Sequence, residues 1–359
     1  MCIRDRAYNE QDEARFVADI LKDWMNKGEM YSDAAVLYRS NAQSRALEEA
    51  LLRSSIPYRI YGGQRFYERM EIKNAIAYLK IIFNNSDNPA FERSISNPTR
   101  GVGEKTLAKI RSTATKYNIS YIKASAKLID EGAISGRGGA GLKSYLEFIA
   151  RCKEFIEENT LSDLMEEIIK TSGLVAYHAK EPGEKGKTRV ENLEELVSAT
   201  TNFEQSIREQ KTNIEIAEDY LDMISLDSGD RQASEHDDAA QLMTMHSAKG
   251  LEFKLVLMTG LEETLFPHGR SMENPGQLQE ERRLCYVGIT RAMEKLYITH
   301  AESRRLHGSD TFNPPSRFIK DIPKELINEI RPRAQTHIPY NRKDFKETKL
   351  EFEDEIGIS

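Results

Sequence analysis

Apolar residues follow two textures along this chain. Between residues 10 and 27, Val17, Ile20, Leu21 and Trp24 recur at helical spacing, which predicts an amphipathic helix. The short apolar run 34–38 predicts a buried strand, and 42–52 a helix with Asn41 placed as its N-cap. Residues 56–61 are β-rich and end in Gly62-Gly63. Strand, helix and strand joined by short loops predict an α/β layer. From about Gln64 to Leu226 the period becomes helical throughout. Ile72, Ile76, Leu79 and Phe83 form one stripe, and Asn88-Pro89 resembles a helix start with proline at the first position. Further helices are predicted near 104–117, 141–158, 161–171, 190–207 and 214–224, without a convincing strand. The polar, turn-rich stretch 227–238 reads as a linker. After it come strands at 242–245 and 253–259, a helix at 277–292 and a strand at 295–300. Two α/β pieces flanking a helical block predict one domain with a helical insertion. Beyond about Arg331 the chain is charged and aperiodic, as in a disordered tail or linker.

At 359 residues, with 39% hydrophobic and 30% charged residues, the chain suits about two globular domains with a polar surface. Its apolar runs fall far short of the roughly 20 residues that span a bilayer, and its N-terminus lacks the apolar core of a signal peptide. Cys2, Cys152 and Cys285 are widely spaced, so no zinc site or disulfide framework is expected, and a reducing cytoplasm is the natural setting. The net charge of −7 by itself argues mildly against a nucleic-acid binder, but an acidic protein can carry a local basic track.

Three segments carry candidate chemistry. In EERRLCYVGITRA, Leu284, Val287 and Arg291 fall on one helical stripe. An arginine one turn beyond an apolar face needs an anionic partner, either a structural carboxylate or a phosphate. In TMHSAKGLEF, Met245 ends a strand and His246, Ser247, Lys249 and Gly250 make a tight polar loop. Open α/β sheets bind ligands beyond the carboxyl ends of their strands, where this loop is expected. Glu252 can accept from ribose hydroxyls and Lys249 can meet a phosphate; the plainer alternative is a solvated turn. In YRSNAQSR, Arg39 and Asn41 follow a strand in the same way, with a simple N-cap as the alternative for Asn41.

Taken in this order, YRSNAQSR, TMHSAKGLEF, EERRLCYVGITRA and PPSRF closely resemble the second motor domain of the superfamily 1 DNA helicases of the UvrD/PcrA/Rep type. The likeness extends through NPTRGVGEKTL and GEKGKTRVENLEEL and covers roughly residues 7–330. It implies a RecA-like motor domain interrupted by a large all-helical insertion domain. It also implies ATP-dependent movement, 3′ to 5′, on single-stranded DNA. On this resemblance Arg291 contacts the γ-phosphate as the catalytic arginine, and Glu252 and Gly250 belong to the ATP site. His246 and Lys249 couple that site to DNA, and Arg39 and Asn41 hold single-strand phosphates. His307 stands where family members stack an aromatic ring on a base, over less area here. The turn Gly101-Val102-Gly103 resembles the duplex-binding turn of the insertion, where backbone N–H groups at a helix start hold a phosphate.

The phosphate-cradling loop and the Asp-Glu pair for Mg²⁺ that such a motor needs are not found. GEKGKT has Glu181 at the first glycine's position and follows no strand, and GRGGAGLKS has Leu142 in place of the lysine. The expected organisation is therefore a non-family segment (1–6), motor-domain pieces at 7–63 and 237–330 around an insertion at 64–236, and a tail (331–359). ATP and Mg²⁺ are the implied cofactors, with the Mg²⁺ ligands on a missing N-terminal motor domain. The implied partners are that domain and single-stranded and duplex DNA, in a bacterial cytoplasm and without a membrane. The alternatives are a non-catalytic DNA-binding module and part of a RecB/AddA-type helicase–nuclease.

Overall fold

Seven parallel strands, in the order β3-β4-β2-β5-β6-β1-β9, form one sheet in the computed structural model, which describes residues 2–207, 211–229, 237–306 and 309–330. The first layer comprises β1 (Cys2–Ala7), α1 (Glu10–Asn26), β2 (Ala34–Tyr38), α2 (Ser44–Arg53) and β3 (Tyr58–Ile60). Helices follow: α3 (Met70–Phe83), α4 (Asn88–Ser96), α5 (Glu104–Tyr117), α6 (Tyr121–Asp130), α7 (Gly136–Glu158), α8 (Leu161–Thr171), α9 (Leu174–His178), α10 (Glu184–Ser206) and α11 (Asn213–Gly229). The sheet then resumes with β4 (Ala240–Thr244), β5 (Phe253–Met258), α12 (Pro275–Ile289) and β6 (Ala292–Ala301). A small hairpin, β7 (Arg304–Leu306) and β8 (Ser309–Thr311), precedes the edge strand β9 (Ile327–Ile330).

The apolar run in β2 is continuous because both faces of the strand are covered. Ala34, Val36 and Tyr38 face α1 and α2, packing with Val17, Leu21 and Leu51. Ala35 and Leu37 face the other way, toward Leu284 and Cys285 of α12. The helices between β3 and β4 build a separate apolar cluster, in which Ile72, Ile76 and Leu79 are buried and Phe83 packs at the margin. Among the described residues, no helix is long and apolar enough to cross a membrane.

Both glycine strings that mimic a phosphate loop are helix-packing sites. At Gly141 a Cβ would collide with the Arg100 carbonyl oxygen, and at Gly186 it would lie 2.6 Å from the carbonyl oxygens of His178 and Glu181. Glycine is needed there so that α7 and α10 can approach neighbouring backbone.

Several expectations are corrected. Residues 1–6 do not stand apart: Cys2–Ala7 is a strand paired with both β6 and β9. Backbone pairing recruits it, and CIRDRA carries no alternation that would reveal a strand. Ser40, not Asn41, caps the turn after β2, accepting from Ala42 N–H at 3.4 Å. Short apolar patterns hid α6 and α9. The segments 230–236 and 331–359, within the expected linker and tail, lie outside the described residues, as does His307.

At the carboxyl ends of β5 and β6 lies a buried charge cluster. Arg304 donates to both oxygens of Glu262 (2.9 and 2.6 Å) and to Glu13 of α1. Glu13 also accepts from Thr299 Oγ1 at 2.6 Å and Gly260 N–H at 2.8 Å, and Glu262 from Ala301 N–H at 2.7 Å. Burial raises the Glu13 pKa, but the Arg304 charge and these hydrogen bonds outweigh it, leaving the carboxyl below its ordinary value. The cluster ties α1 to the strand ends and stiffens that edge of the sheet.

Candidate functional site

The residues singled out in the sequence divide between two opposite edges of the sheet. Arg39 and Asn41 leave β2 at its carboxyl end, and His246 leaves β4 beside them. Glu252 and Arg291 lie at the amino ends of β5 and β6, where Phe253 N–H donates to the Arg291 carbonyl at 2.9 Å. Tyr38 pairs with Thr244 and Leu37 with Met258, which sets Phe253 six residues, about 20 Å, back from the level of Thr244. The polar loop after β4 therefore crosses from one edge to the other. Glu252 is consequently not at a carboxyl edge, as the general rule for open sheets led one to expect.

At the amino edge, Arg291 is not on a helix. α12 ends at Ile289 because β6 must begin at Ala292, and Arg291 occupies the turn between them. The guanidinium is half-buried and held by neutral acceptors alone. Nε donates to the Val287 carbonyl (3.0 Å), Nη1 to the Leu251 carbonyl (2.8 Å) and Nη2 to Thr290 Oγ1 (3.0 Å). Of the two anions open to Arg291 on sequence grounds, the structural carboxylate is not found among the described residues. The side chain is oriented, but its charge is not compensated. Glu252 nearby is exposed, without a hydrogen-bond partner for its carboxylate among the described residues.

At the carboxyl edge, Arg39 meets a partner that the sequence did not reveal. Its Nε lies 3.1 and 2.9 Å from the two oxygens of Glu281, and its Nη2 lies 2.6 Å from Oε1. Ser40 Oγ donates to Glu191 of α10 at 2.5 Å, and His268 Nε2 lies 3.6 Å from the same carboxylate. The turn after β2 is thus gripped by α12 and by a helix of the long helical segment. These contacts bridge sequence separations of 242 and 151 residues, so no local pattern could show them, although Glu281 belongs to the conspicuous EERRL run. Asn41 gives its carbonyl to Arg69 Nη1 at 3.0 Å, and its side-chain amide has no partner among the described residues. His246 and Lys249 are exposed, and Gly250 turns at φ +87° with open space around its α-carbon. Desolvation, then the Arg39 charge, lowers the His246 pKa, so the imidazole is neutral near pH 7.

α12 joins the two edges. Its 15 residues are about 22 Å long, comparable to the separation of the edges. Its middle carries Glu281 to Arg39, and its C-terminal end leads directly into the Arg291 turn. At Gly288 a Cβ would come within 2.8 Å of Met258 Cε, so the helix lies tight on β5.

Gly101 and Gly103 sit far along the chain, at the start of α5. Gly101 adopts φ +75°, and a Cβ there would meet Arg137 Cγ at 2.9 Å. Gly103 is the N-cap of α5, exposed, with ordinary φ and free space. No side chain caps the helix there, which leaves first-turn N–H groups for an outside acceptor.

The family model for the UvrD-like helicase C-terminal domain matches residues 2–303, so the resemblance includes the N-terminal strand. The chain is 47% identical over 333 residues to DNA helicase II of Escherichia coli (strain K12), covering 93% of this chain and 46% of that protein. It is 49% identical over 329 residues to DNA helicase II of Haemophilus influenzae, covering 91% and 45%. It is 39% identical over 341 residues to the ATP-dependent DNA helicase PcrA of Bacillus subtilis (strain 168), covering 94% and 46%. The chain spans a little under half the length of these relatives. An arginine oriented by neutral acceptors at one sheet edge, polar groups at the other and a helix spanning both are carried by a chain that belongs to the UvrD-like helicase C-terminal domain family.

Proposed function

We propose that this chain acts as the second half of an ATP-driven motor that moves 3′ to 5′ on single-stranded DNA and opens duplex. The observation that carries this reading is Arg291, a cation oriented by three neutral acceptors beside an exposed carboxylate. A γ-phosphate bound by a phosphate-loop domain would complete that site, with Arg291 on the phosphate and Glu252 on the ribose. Among the described residues no group of three or more His, Cys, Asp or Glu is placed to hold a metal ion, so no Mg²⁺-dependent step is assigned to them. On this reading the Mg²⁺ ligands belong to the phosphate-loop domain.

Arg39, Asn41 and His246 face single-strand phosphates at the carboxyl edge, and Lys249 meets them from the loop that leaves it. The purified chain is expected to bind a fluorescein-labelled oligothymidine with an affinity that falls steeply with salt, and to hydrolyse no ATP above background. DNA-stimulated turnover by this chain alone, lost on Arg291→Ala, would overturn the division of labour. Absence of binding at low salt would remove the nucleic-acid assignment.

The helical segment carries the duplex contact, with phosphate held by the backbone at the start of α5. Gly103→Val places its side chain in open space and should leave folding intact. It should weaken duplex binding about 5- to 10-fold, the effect of one backbone–phosphate hydrogen bond. Unchanged duplex affinity over a salt series would sink this assignment. Gly101→Val is a poorer test, because its left-handed backbone and the Arg137 side chain oppose any Cβ.

A further inference from the structure

Further along the carboxyl edge, two exposed aromatic rings line one cavity. Tyr8 follows β1 and is 66% exposed; Phe312 follows β8 and is 78% exposed. Ser303 N–H and Oγ both donate to the Tyr8 carbonyl at 3.1 Å, and Arg304 pairs with Thr311, so Phe312 leaves the hairpin beside Ser303. Both rings thus start next to Ser303 and border a cavity of about 410 Å³ between α1, α10 and the hairpin. That size falls within the roughly 300–1,000 Å³ of small-ligand sites. Inside it the charges are paired off, Arg305 with Asp310 at 2.9 Å and Arg45 with Glu49 at 2.9 Å and Glu195 at 2.6 Å. Arg305 Nη1 also donates to Asn202 Oδ1 (2.9 Å) and Gln205 Oε1 (2.8 Å) of α10. A guanidinium only donates, so both amides must turn their oxygens to it and present their NH₂ groups elsewhere. The Asn202 amide reaches Glu10 at 3.4 Å, whereas that of Gln205 has no acceptor among the described residues.

We propose that this cavity is a base site: one unpaired nucleobase of a single strand stacks on Tyr8 and Phe312, and the Gln205 amide donates to its edge. The inference rests on reading the carboxyl edge as a single-strand track. β6 and β1 lie two and three strands from β2, about 10 and 14 Å at roughly 4.8 Å per strand, so a strand laid along that edge reaches the rings. An interior with paired charges and an oriented amide suits a neutral base better than a phosphate, and an aromatic ring stacks on any base. The rival occupant is a protein surface, a second copy of this chain included, which would cover the same rings.

The test uses the full chain and fluorescence anisotropy over a KCl series, with a labelled oligothymidine and with a strand of equal length built from abasic units. Thermal unfolding and sedimentation velocity accompany each variant. Phe312→Ala and Tyr8→Ala should each weaken oligothymidine binding about 5- to 50-fold, the effect of losing one base–aromatic stack. The slope of log affinity against log salt should not change, because no charge is removed. Affinity for the abasic strand should stay at the parent value, and Phe312→Trp, which keeps a ring, should bind oligothymidine within about threefold of the parent. Both rings are exposed, so the variants should fold; if Tyr8→Ala does not, Phe312→Ala is read against the same criteria. Equal losses on the two strands overturn the base site. A parent dimer that dissociates in the alanine variants also overturns it, and gives the rings to a second copy. A parent chain that binds neither strand removes the single-strand track, and the base site with it. Parental binding of oligothymidine with inert alanine variants removes only the base site.

Discussion

Arg291→Ala should lower DNA-stimulated ATP hydrolysis by about 10³–10⁵-fold once this chain works together with a phosphate-loop domain. The experiment needs such a domain, for instance a chimaera in which residues 2–330 replace the matching part of Escherichia coli DNA helicase II. The size of the effect follows from the arginine's surroundings. The carbonyls of Val287 and Leu251 and the hydroxyl of Thr290 fix the guanidinium plane without cancelling its charge. A preoriented cation costs no reorganisation when negative charge develops on a transferring phosphoryl group. Arg291→Lys should recover little, because an ammonium cannot satisfy three divergent acceptors and also meet a phosphate in bidentate fashion. Affinity for single-stranded DNA should stay near that of the parent, since Arg291 lies at the edge away from Arg39. Turnover within tenfold of the parent would show that the arginine serves only to anchor Leu251 and Val287.

The second large effect expected is on stability. Arg304→Met should cost about 3–5 kcal/mol at pH 7, because it leaves Glu13 and Glu262 buried together without their cation. Denaturant unfolding would measure it, and a loss below about 1 kcal/mol would show that water or rearrangement relieves the site. The pH dependence has a definite sign. In the parent the Glu13 pKa is lowered in the folded state, so its contribution is present above the ordinary carboxylate range and is lost as pH falls through the folded-state value. In Arg304→Met, burial is opposed only by the hydrogen bonds from Thr299 and Gly260, and the folded-state pKa rises above the unfolded one. The folded variant then binds more protons than the unfolded chain in the interval between the two values. Its deficit relative to the parent should therefore shrink as pH falls from 7 toward 5. A deficit that does not change with pH would place the lost energy in packing and not in the carboxylates.

The two residues behind these expectations were unequally visible beforehand. Arg291 is marked by its motif, but a helical period extends the helix through it and carries no sign of the strand that begins at Ala292. Arg304 gave no signal at all, since its partners lie 291 and 42 residues away. The same contrast holds at the carboxyl edge. Arg39 and Asn41 could be placed from the strand that precedes them. The Glu281 clamp and the Glu191 contact could not, because helix packing creates them.

By itself the sequence determined what depends on local periodicity and residue type: the alternation of strand and helix, the long helical stretch between β3 and β4, and the motifs that mark the family. Those features arise from interactions within one turn or one strand, where spacing and chemistry are read together. The tertiary structure alone decided which residues share a place. It recruited Cys2–Ala7 into the sheet through backbone pairing, carried the polar loop after β4 across to the opposite edge, and set α12 as the strut between Arg39 and Arg291. Each of these depends on long-range pairing and close packing, whose energies involve residues that no local pattern connects.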